Sequence, residues 1–399
     1  MKNRIVTIIG LFALLSTASA AGPKADFNVI PVPRTICAGT SAPFVLDSNT
    51  KISYEEGQKR NAAFLQQYIT DITGIVPELT DRPRKRGTIS LRVKDTSSDA
   101  EGYTLTVDKK NIHIVGNSPA GVFYAIQTLR KALPAGQASE VEIPSCIVED
   151  SPRFAYRGVH LDVVRHFFPV DSVKRYIDII ALHNVNRFHW HLTDDQGWRV
   201  EIKSRPRLTS VGAYRKQTAG DGTPHGGFYT QDEIRDIIRY AQERYITIIP
   251  EIDIPGHSAA ALASYPEIGC TGGPYEVCEV WGGPADVLCA GKDETMQFLQ
   301  DVFTEIAGLF PSQYIHIGGD ECPKQRWKEC RACQAKIKEL GIVPDKKHSA
   351  EQKLQSYVMV SVEKFLAAKG RKVIGWDEIL EGGLGPDATV HSWRGMGGA

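Results

Sequence analysis

The residues best suited to chemistry in this sequence are two adjacent carboxylates that follow an apolar strand pattern. Residues 316–321 read HIGGDE, so the strand pattern runs into two glycines and then into Asp320 and Glu321. Glycines at such a point allow a ligand to approach the backbone closely. Adjacent carboxylates repel each other, which raises the pKa of one of them, and a carboxyl that stays protonated near neutral pH can act as a general acid. The residues alone leave open the alternative that the pair begins a solvated helix.

Histidines and further aspartates occur in two other segments of the same kind. Residues 189–195 read HWHLTDD, and His189 and His191 share one face of a strand, as the ligands of metal-dependent barrel hydrolases do. Residues 253–257 read DIPGH, a turn that could direct His257 towards a neighbouring carboxylate. The alternatives are hydrogen-bonded histidines at the rim of a core and a plain tight turn, and the sequence leaves both open.

Three tryptophans lie on predicted strands or at their ends. Trp190, Trp376 and Trp393 could offer their indole faces to the C–H faces of sugar rings. Packing in a core is the commoner role of tryptophan, so these residues alone do not identify a sugar site.

These residues need a scaffold that brings several strand ends together, and the chain from Phe154 onward has the pattern of one. Strands alternate there with amphipathic helices, for example residues 172–182 after Asp171 as N-cap, and residues 230–244. Repeated βα units predict an α/β fold with a parallel sheet. Polar residues collect after the strands, on the face where a (β/α)8 TIM barrel carries its active site. The alternative is a doubly wound open sheet, but no glycine-rich phosphate loop follows the first strand. Six strands are predicted, at residues 158–161, 187–192, 247–252, 314–317, 372–376 and 389–393.

The preceding part of the chain, residues 24–150, has a different pattern. Short alternating segments such as residues 88–93 and 103–107 predict half-buried antiparallel strands. Two helical patterns accompany them, one before Gly74 and the other before Pro134. Strands with helices on one face predict a small α+β domain.

Composition and the N-terminus indicate an exported protein. The 399 residues hold 47 basic and 47 acidic side chains, and this balance argues against nucleic acid as a partner. Residues 1–20 combine a basic start, the apolar run 5–15 and a small-residue cleavage site, which predicts a signal peptide. No segment is apolar enough for a membrane span. We therefore expect a periplasmic or extracellular location, while the oligomeric state stays open.

The expected export bears on the oxidation state of the eight cysteines. An oxidising compartment favours disulfides. Cys322, Cys330 and Cys333 have a spacing that would also suit a zinc knuckle, but no nearby histidine completes one. Disulfides or free thiols are therefore the favoured interpretation, and the pairing cannot be deduced from spacing.

The motifs together resemble those of family 20 glycoside hydrolases, the β-N-acetylhexosaminidases. The resemblance extends from about Phe154 to the end of the chain, and residues 24–150 more weakly resemble the α+β domain that precedes the barrel in this family. Six ordered segments carry it, residues 157–168, 189–199, 255–257, 316–321, 375–378 and 392–394.

The resemblance implies a retaining exo-glycosidase that removes terminal non-reducing GlcNAc or GalNAc from glycans or chitooligosaccharides without a metal or cofactor. The acetamido oxygen of the substrate attacks the anomeric carbon and forms an oxazolinium ion, an exception to the usual two-carboxylate scheme. Glu321 is then the general acid and base, and Asp320 holds and orients the acetamido N–H. Arg157 is expected to hydrogen-bond sugar hydroxyls.

The resemblance also implies supporting roles and one disulfide. Asp194, His257 and Asp253 match the network around the acid, with His316 nearby. Trp376 and Trp393 match walls of the acetamido and sugar pocket, and Cys270 and Cys289 match a disulfide that some relatives carry. Barrels of this family have eight strands, so we expect a fragment that lacks the last two. A metal-dependent hydrolase and a non-catalytic glycan-binding protein are the remaining alternatives.

Overall fold

The computed structural model describes residues 22–82, 84–94 and 99–396. The predicted signal peptide, residues 1–20, lies outside these ranges. The chain divides after Ser151 into two compact units, the second of which begins at Pro152. Among the described residues, none of the helices combines the length and the apolar character that a crossing of the bilayer requires.

The first unit is built on a mixed sheet. Its strands are β1 (Thr35–Ala38), β2 (Phe44–Asp47), β3 (Lys51–Tyr54), β4 (Glu78–Thr80), β5 (Thr88–Val93), β6 (Tyr103–Val107), β7 (Asn111–Gly116), β8 (Glu140–Ile143) and β9 (Cys146–Asp150). Its helices are α1 (Lys59–Thr73) and α2 (Pro119–Ala132), which contact each other and the sheet. The strand order is β1-β9-β6-β7-β5-β3-β4, while β2 pairs with β8. The predicted α+β architecture is confirmed.

The direction of one strand in this unit differs from the sequence prediction. Strand β6 pairs antiparallel with β7 and β9, as predicted, but β5 runs parallel to both of its neighbours, β3 and β7. The first four side chains of β5 are all buried. A strand that is covered on both faces is typical of a parallel environment, and the alternation at residues 88–93 was too short to reveal this.

The second unit carries a parallel sheet. Its strands are β10 (Gly158–Asp162), β11 (Arg187–His191), β12 (Thr193–Asp194), β13 (Gly197–Trp198), β14 (Tyr214–Arg215), β15 (His225–Gly226), β16 (Thr247–Ile254), β17 (Tyr314–Gly318), β18 (Lys372–Trp376) and β19 (Thr389–His391). Six of them form the sheet in the order β10-β11-β16-β17-β18-β19, and every neighbouring pair is parallel. The remaining four form two short ribbons in the loops. The predicted strands and their parallel order are confirmed.

This sheet curls, so that side chains from distant strands meet on its inner face. The rings of His160 on β10 and Trp376 on β18 lie 6.1 Å apart, and those of His189 on β11 and His391 on β19 lie 5.7 Å apart. These strands are not hydrogen-bonded neighbours. Contacts of this kind require a curved sheet of the TIM-barrel type, which confirms the predicted fold class.

Helices connect the strands of the second unit. They are α3 (Val170–Leu182), α4 (Arg207–Ser210), α5 (Gln231–Gln242), α6 (Ala259–Ser264), α7 (Asp293–Leu309), α8 (Gln325–Glu329), α9 (Arg331–Glu339) and α10 (Ala350–Ala367). Helix α5 begins with a capping box between Thr230 and Glu233. The predicted N-cap of α3 is wrong: Pro169 occupies that position and Asp171 lies in the first turn, where its charge favours the helix dipole.

Candidate active site at the carboxyl ends of the strands

The two glycines of the HIGGDE segment bring strand β17 close to strand β16. Gly318 and Gly319 have φ angles of 65° and 101°, which side chains rarely tolerate. A Cβ atom on Gly318 would lie 1.6 Å from the Asp253 carboxylate, and the N–H of Gly319 donates to Asp253 Oδ1 over 3.2 Å. Glycine is therefore required here by packing against Asp253, in addition to any approach of a ligand.

The adjacent carboxylates have different surroundings. The side chain of Asp320 is 18% exposed and that of Glu321 is 60% exposed. Glu321 has a φ of 44°, a left-handed conformation that is uncommon outside glycine. Burial raises the pKa of Asp320 to about 6. Asp320 Oδ1 is buried and has no hydrogen-bond partner on another of the described residues.

His257 lies between these carboxylates and a second acidic pair. Its Nε2 is 3.5 Å from Asp320 Oδ2 and 3.6 Å from Glu321 Oε2. Its Nδ1 is 3.1 Å from Asp194 Oδ1 and 3.5 Å from Asp195 Oδ2. Although burial favours the neutral ring, the contacts with Asp194 and Asp195 raise the pKa of His257 far above its usual range. The imidazolium therefore links the two acidic pairs.

Asp194 is a second buried centre of the site. Its Oδ2 accepts from His191 Nε2 over 2.9 Å and lies 2.6 Å from Arg165 Nη2. Burial alone would raise its pKa, but its contacts with His191 and His257 lower the pKa of Asp194 well below the ordinary value. Arg165 also contacts Asp162 over 3.0 Å. Asp194 is thus an anion held by four donor groups, since its Oδ1 also accepts from the backbone N–H of Asp195 over 2.6 Å.

Asp253 provides a carboxyl of the opposite character. It is fully buried at the end of β16, and its backbone N–H donates to Thr193 Oγ1 over 3.0 Å. Burial, followed by the charge of Asp320, raises the pKa of Asp253 well above its usual range. We therefore expect Asp253 to be a neutral acid beside the Asp320 carboxylate.

A buried glutamate that the sequence reasoning missed organises the inner face of the sheet. Glu251 Oε2 lies 2.6 Å from His191 Nδ1 and 2.8 Å from His189 Nε2. Its Oε1 accepts from Trp376 Nε1 over 2.8 Å and lies 3.1 Å from His316 Nδ1. Burial would raise its pKa, but the surrounding histidines hold the pKa of Glu251 well below the ordinary value. The sequence feature that could have indicated Glu251 is its position two residues before Asp253, which places both carboxylates on one face of the strand.

The same glutamate brings the two predicted strand histidines together. His189 and His191 share one face of β11, as predicted, and both approach the same oxygen of Glu251. Burial lowers the pKa of His189 to about 4. The Glu251 carboxylate thus lies between the two rings: His191 is hydrogen-bonded to it, whereas neither ring nitrogen of His189 has a hydrogen-bond partner among the described residues.

The two predicted pocket tryptophans have different surroundings. The Trp376 ring stacks on His391 with 4.6 Å between centroids and lies 4.8 Å from the His316 ring. Trp393 is half exposed, and its Nε1 donates to Glu378 Oε2 over 3.1 Å. The structure thus groups Trp376 and His316 with Glu251 on the inner face of the sheet, and Trp393 with Glu378 after β19.

The predicted sugar contact of Arg157 is contradicted by its position. Arg157 precedes β10, whereas Asp320 and Glu321 follow β17, and a five-residue parallel strand separates the two ends by about 16 Å. The Arg157 side chain donates to the carbonyl oxygens of Asn184 and Phe154. Arg165, which follows β10, lies at the same end of the sheet as Asp320 and Glu321.

A curled parallel sheet with a network of carboxylates and histidines beyond its strands defines a TIM-barrel-type protein with an acidic site. Comparisons with known families refine this class. The model for the catalytic domain of glycosyl hydrolase family 20 matches residues 154–399, and the model for domain 2 of that family matches residues 26–151. The chain belongs to glycosyl hydrolase family 20.

Individual relatives agree with this assignment. The chain is 44% identical to a beta-hexosaminidase of Porphyromonas gingivalis, over 93% of this chain and 48% of the relative. It is 37% identical to a beta-hexosaminidase of Vibrio furnissii, over 94% of this chain and 61% of the relative. A family 20 exo-β-N-acetylglucosaminidase of Vibrio harveyi, solved with N-acetylglucosamine, matches with a TM-score of 0.82 and 33% identity, over 94% of this chain and 58% of that chain. The chain therefore spans about half to three fifths of the length of these relatives.

Proposed function

We propose that this protein is a β-N-acetylhexosaminidase that hydrolyses terminal, non-reducing GlcNAc or GalNAc residues with retention of configuration. The observation that carries the proposal is the difference between the two adjacent carboxylates. Asp320 is buried with one oxygen that has no hydrogen-bond partner on another described residue, whereas Glu321 is exposed. Two curated relatives are named beta-hexosaminidase, and the Vibrio harveyi structure contains N-acetylglucosamine.

Asp320 receives the acetamido N–H of the substrate in this proposal. A carboxylate oxygen that is buried without a partner is a strong acceptor, because a hydrogen bond from the substrate relieves its desolvation. With a pKa of about 6, Asp320 is mainly anionic at neutral pH. Its charge orients the acetamido group for attack on the anomeric carbon and stabilises the oxazolinium ion that forms.

Glu321 acts on the leaving group. As a protonated acid it transfers a proton to the glycosidic oxygen while the C–O bond breaks, and as a base it then removes a proton from the water that opens the oxazolinium ion. Its exposed position suits a group that must meet both the aglycone and water. The imidazolium of His257, 3.6 Å from Glu321 and 3.5 Å from Asp320, stabilises whichever carboxylate is charged.

Arg165 and Trp376 complete the proposed site. Arg165 is partly exposed and anchored by Asp162 and Asp194, so its remaining donors can hydrogen-bond sugar hydroxyls. Trp376 is held by Glu251 through its indole N–H and offers its ring to the apolar face of the sugar. We also propose export, based on the signal sequence at residues 1–20.

Substitutions of the two carboxylates test the proposal in the full-length gene product. Glu321→Gln should lower kcat/KM strongly for an aryl N-acetylglucosaminide with a poor leaving group, and much less for one whose leaving group needs no proton. Asp320→Asn should lower it by a similar factor for both substrates, on the order of 100-fold or more. Near-wild-type hydrolysis by either variant would contradict the assigned roles. Replacing the exposed Cys37 with Ser, in the first unit, provides the control.

A further inference from the structure

Four cysteines that are distant in sequence converge in the second unit. They are Cys270, Cys289, Cys330 and Cys333, and their sulfur atoms all lie within 4.8 Å of one another. The Cys289 sulfur is 3.6 Å from that of Cys333 and 3.7 Å from that of Cys330, and the sulfurs of Cys270 and Cys333 are 3.9 Å apart. We call these four residues the cysteine cluster.

The spacing of these sulfur atoms fits a tetrahedron around one metal ion. A Zn–S bond of about 2.3 Å places the sulfurs of a regular tetrahedral site about 3.8 Å apart. Three of the six sulfur–sulfur distances in the cysteine cluster, from 3.6 to 3.9 Å, bracket that value, and the others do not exceed 4.8 Å. A disulfide would instead require two sulfurs about 2.05 Å apart. No disulfide joins any two of the described cysteines in this structure.

The local backbone holds the four ligands in place. The N–H of Cys289 donates to Ile268 O over 2.8 Å, and Leu288, which precedes Cys289, pairs in an isolated bridge with Gly269, which precedes Cys270. Cys330 is the N-cap of α9, and Cys333 lies in its first turn. The N-terminus of a helix favours thiolates, because the backbone N–H groups carry partial positive charge there. Cys289 and Cys333 are fully buried, so the site is largely shielded from water.

We propose that the cysteine cluster binds one Zn²⁺ as a structural site. Four thiols bind the ion and release four protons, which gives a closed tetrahedral complex with no open coordination position for substrate. This proposal replaces the predicted Cys270–Cys289 disulfide. It also differs from the zinc knuckle weighed from the sequence, because Cys322 lies outside the cysteine cluster.

The position of the site indicates what the ion stabilises. Residues 270–289 belong to the loop after β16, and α9 belongs to the connection after β17, the strand that leads to the catalytic pair of the proposed function. Zinc would join these two connections. The loop contributes Tyr275 and Val280 to the wall of a cavity of about 490 Å³, so the ion would fix part of that wall.

Metal analysis of the purified full-length protein, with any affinity tag removed and no chelator used, tests the proposal directly. We expect about one zinc ion per chain. Titration with an organomercurial should release this zinc in proportion to the number of thiols that the reagent blocks. After exchange with Co²⁺ we expect the near-ultraviolet charge-transfer band of a cobalt–thiolate complex. Zinc below about one tenth of an equivalent, together with a Cys270–Cys289 or Cys330–Cys333 disulfide in non-reducing peptide mass spectrometry, would overturn the proposal.

Variants extend this test to the individual ligands. Cys333→Ser should reduce the bound zinc about tenfold or more and lower the midpoint of thermal unfolding. Cys278→Ser is the matched control, because Cys278 lies in the same loop but outside the cysteine cluster, and its zinc content should not change. Equal zinc content in both variants would contradict the proposed ligand set. If Cys333→Ser does not fold, the metal and cobalt measurements on the wild-type protein still decide.

Discussion

The substitution His257→Gln tests how the charge of one residue sets the ionisation of Asp320. The imidazolium Nε2 lies 3.5 Å from Asp320 Oδ2, and the two side chains are 11% and 18% exposed. At an effective dielectric constant of about 20, two unit charges at this distance attract each other by roughly 4–5 kcal/mol, or about three pKa units. Asp194 and Asp195 on the other side of the ring offset part of this field, so we expect the loss of His257 to raise the pKa of Asp320 by one to two units.

The measurement is the pH dependence of kcat/KM for an aryl N-acetylglucosaminide between about pH 4 and pH 9. In the wild-type protein, activity should fall on the acid side as Asp320 becomes protonated near its pKa of about 6. In His257→Gln the acid limb should move upwards to about pH 7 or 8, because protonated Asp320 does not stabilise positive charge. The plateau of kcat/KM at higher pH should also be lower than in the wild-type protein.

The control for this experiment is His183→Gln, which removes an exposed imidazole at the end of α3 and should leave the profile unchanged. An acid limb that stays within about 0.3 pH units of the wild-type value in His257→Gln, or that moves downwards, would refute the electrostatic reasoning.

Three further substitutions test the assignment of Arg165 and the protonation of Asp253. Arg165→Gln leaves the buried Asp194 without its closest cation and should reduce kcat/KM about 100-fold. Arg157→Gln should change kcat/KM less than about threefold per folded molecule. The reverse ranking of the two variants would restore Arg157 to the site. Asp253→Asn should stabilise the fold increasingly as pH rises above about 4, measured as the difference in unfolding midpoint between the variant and the wild type. A difference that stays constant between pH 4 and pH 8 would show that Asp253 is not held neutral.

The architecture was largely predictable from local patterns, and the positions of the two adjacent carboxylates in the candidate site were predictable for the same reason. A strand that ends in HIGGDE places Asp320 and Glu321 in one position whatever the rest of the fold does, and the alternation of strands and helices after Phe154 indicates a parallel sheet. Strand direction in the first unit was harder. Residues 88–93 alternate in type, yet their partners are set by the crossover through α1, which no local pattern reveals.

The arginine was misassigned although the predicted strands contained the answer. Arg157 and Arg165 both lie in residues 157–168, one of the segments that resemble the family. Only the direction of β10 distinguishes the two arginines, because Arg157 precedes the strand and Arg165 follows it. Active sites of parallel barrels lie beyond the carboxyl ends of the strands, so the arginine that follows the strand is the better candidate. The structure agrees, since Arg165 contacts Asp194 and Asp162.

Residues whose partners come from other strands or loops could not be assigned from the sequence. Glu251 gains its role from histidines on β10, β11 and β17, and the spacing along the chain does not encode those contacts. The cysteine cluster has the same origin. Its members follow two different strands, so the sequence suggested one pair by resemblance and could not join it to Cys330 and Cys333.

The pH dependence predicted for Asp253→Asn follows from which state of the protein holds the proton. Asp253 has a folded-state pKa above the ordinary value of about 3.9, so folding binds a proton once the pH exceeds that value. The favourable contribution of the protonated carboxyl is complete below pH 4 and is lost as the pH rises towards the folded-state pKa. Asparagine cannot ionise, and its side-chain oxygen can still accept from Gly319. The variant therefore keeps the contact between β16 and β17 and avoids the pH-dependent loss, and a neutral residue at position 253 leaves Asp320 as the charged member of the pair.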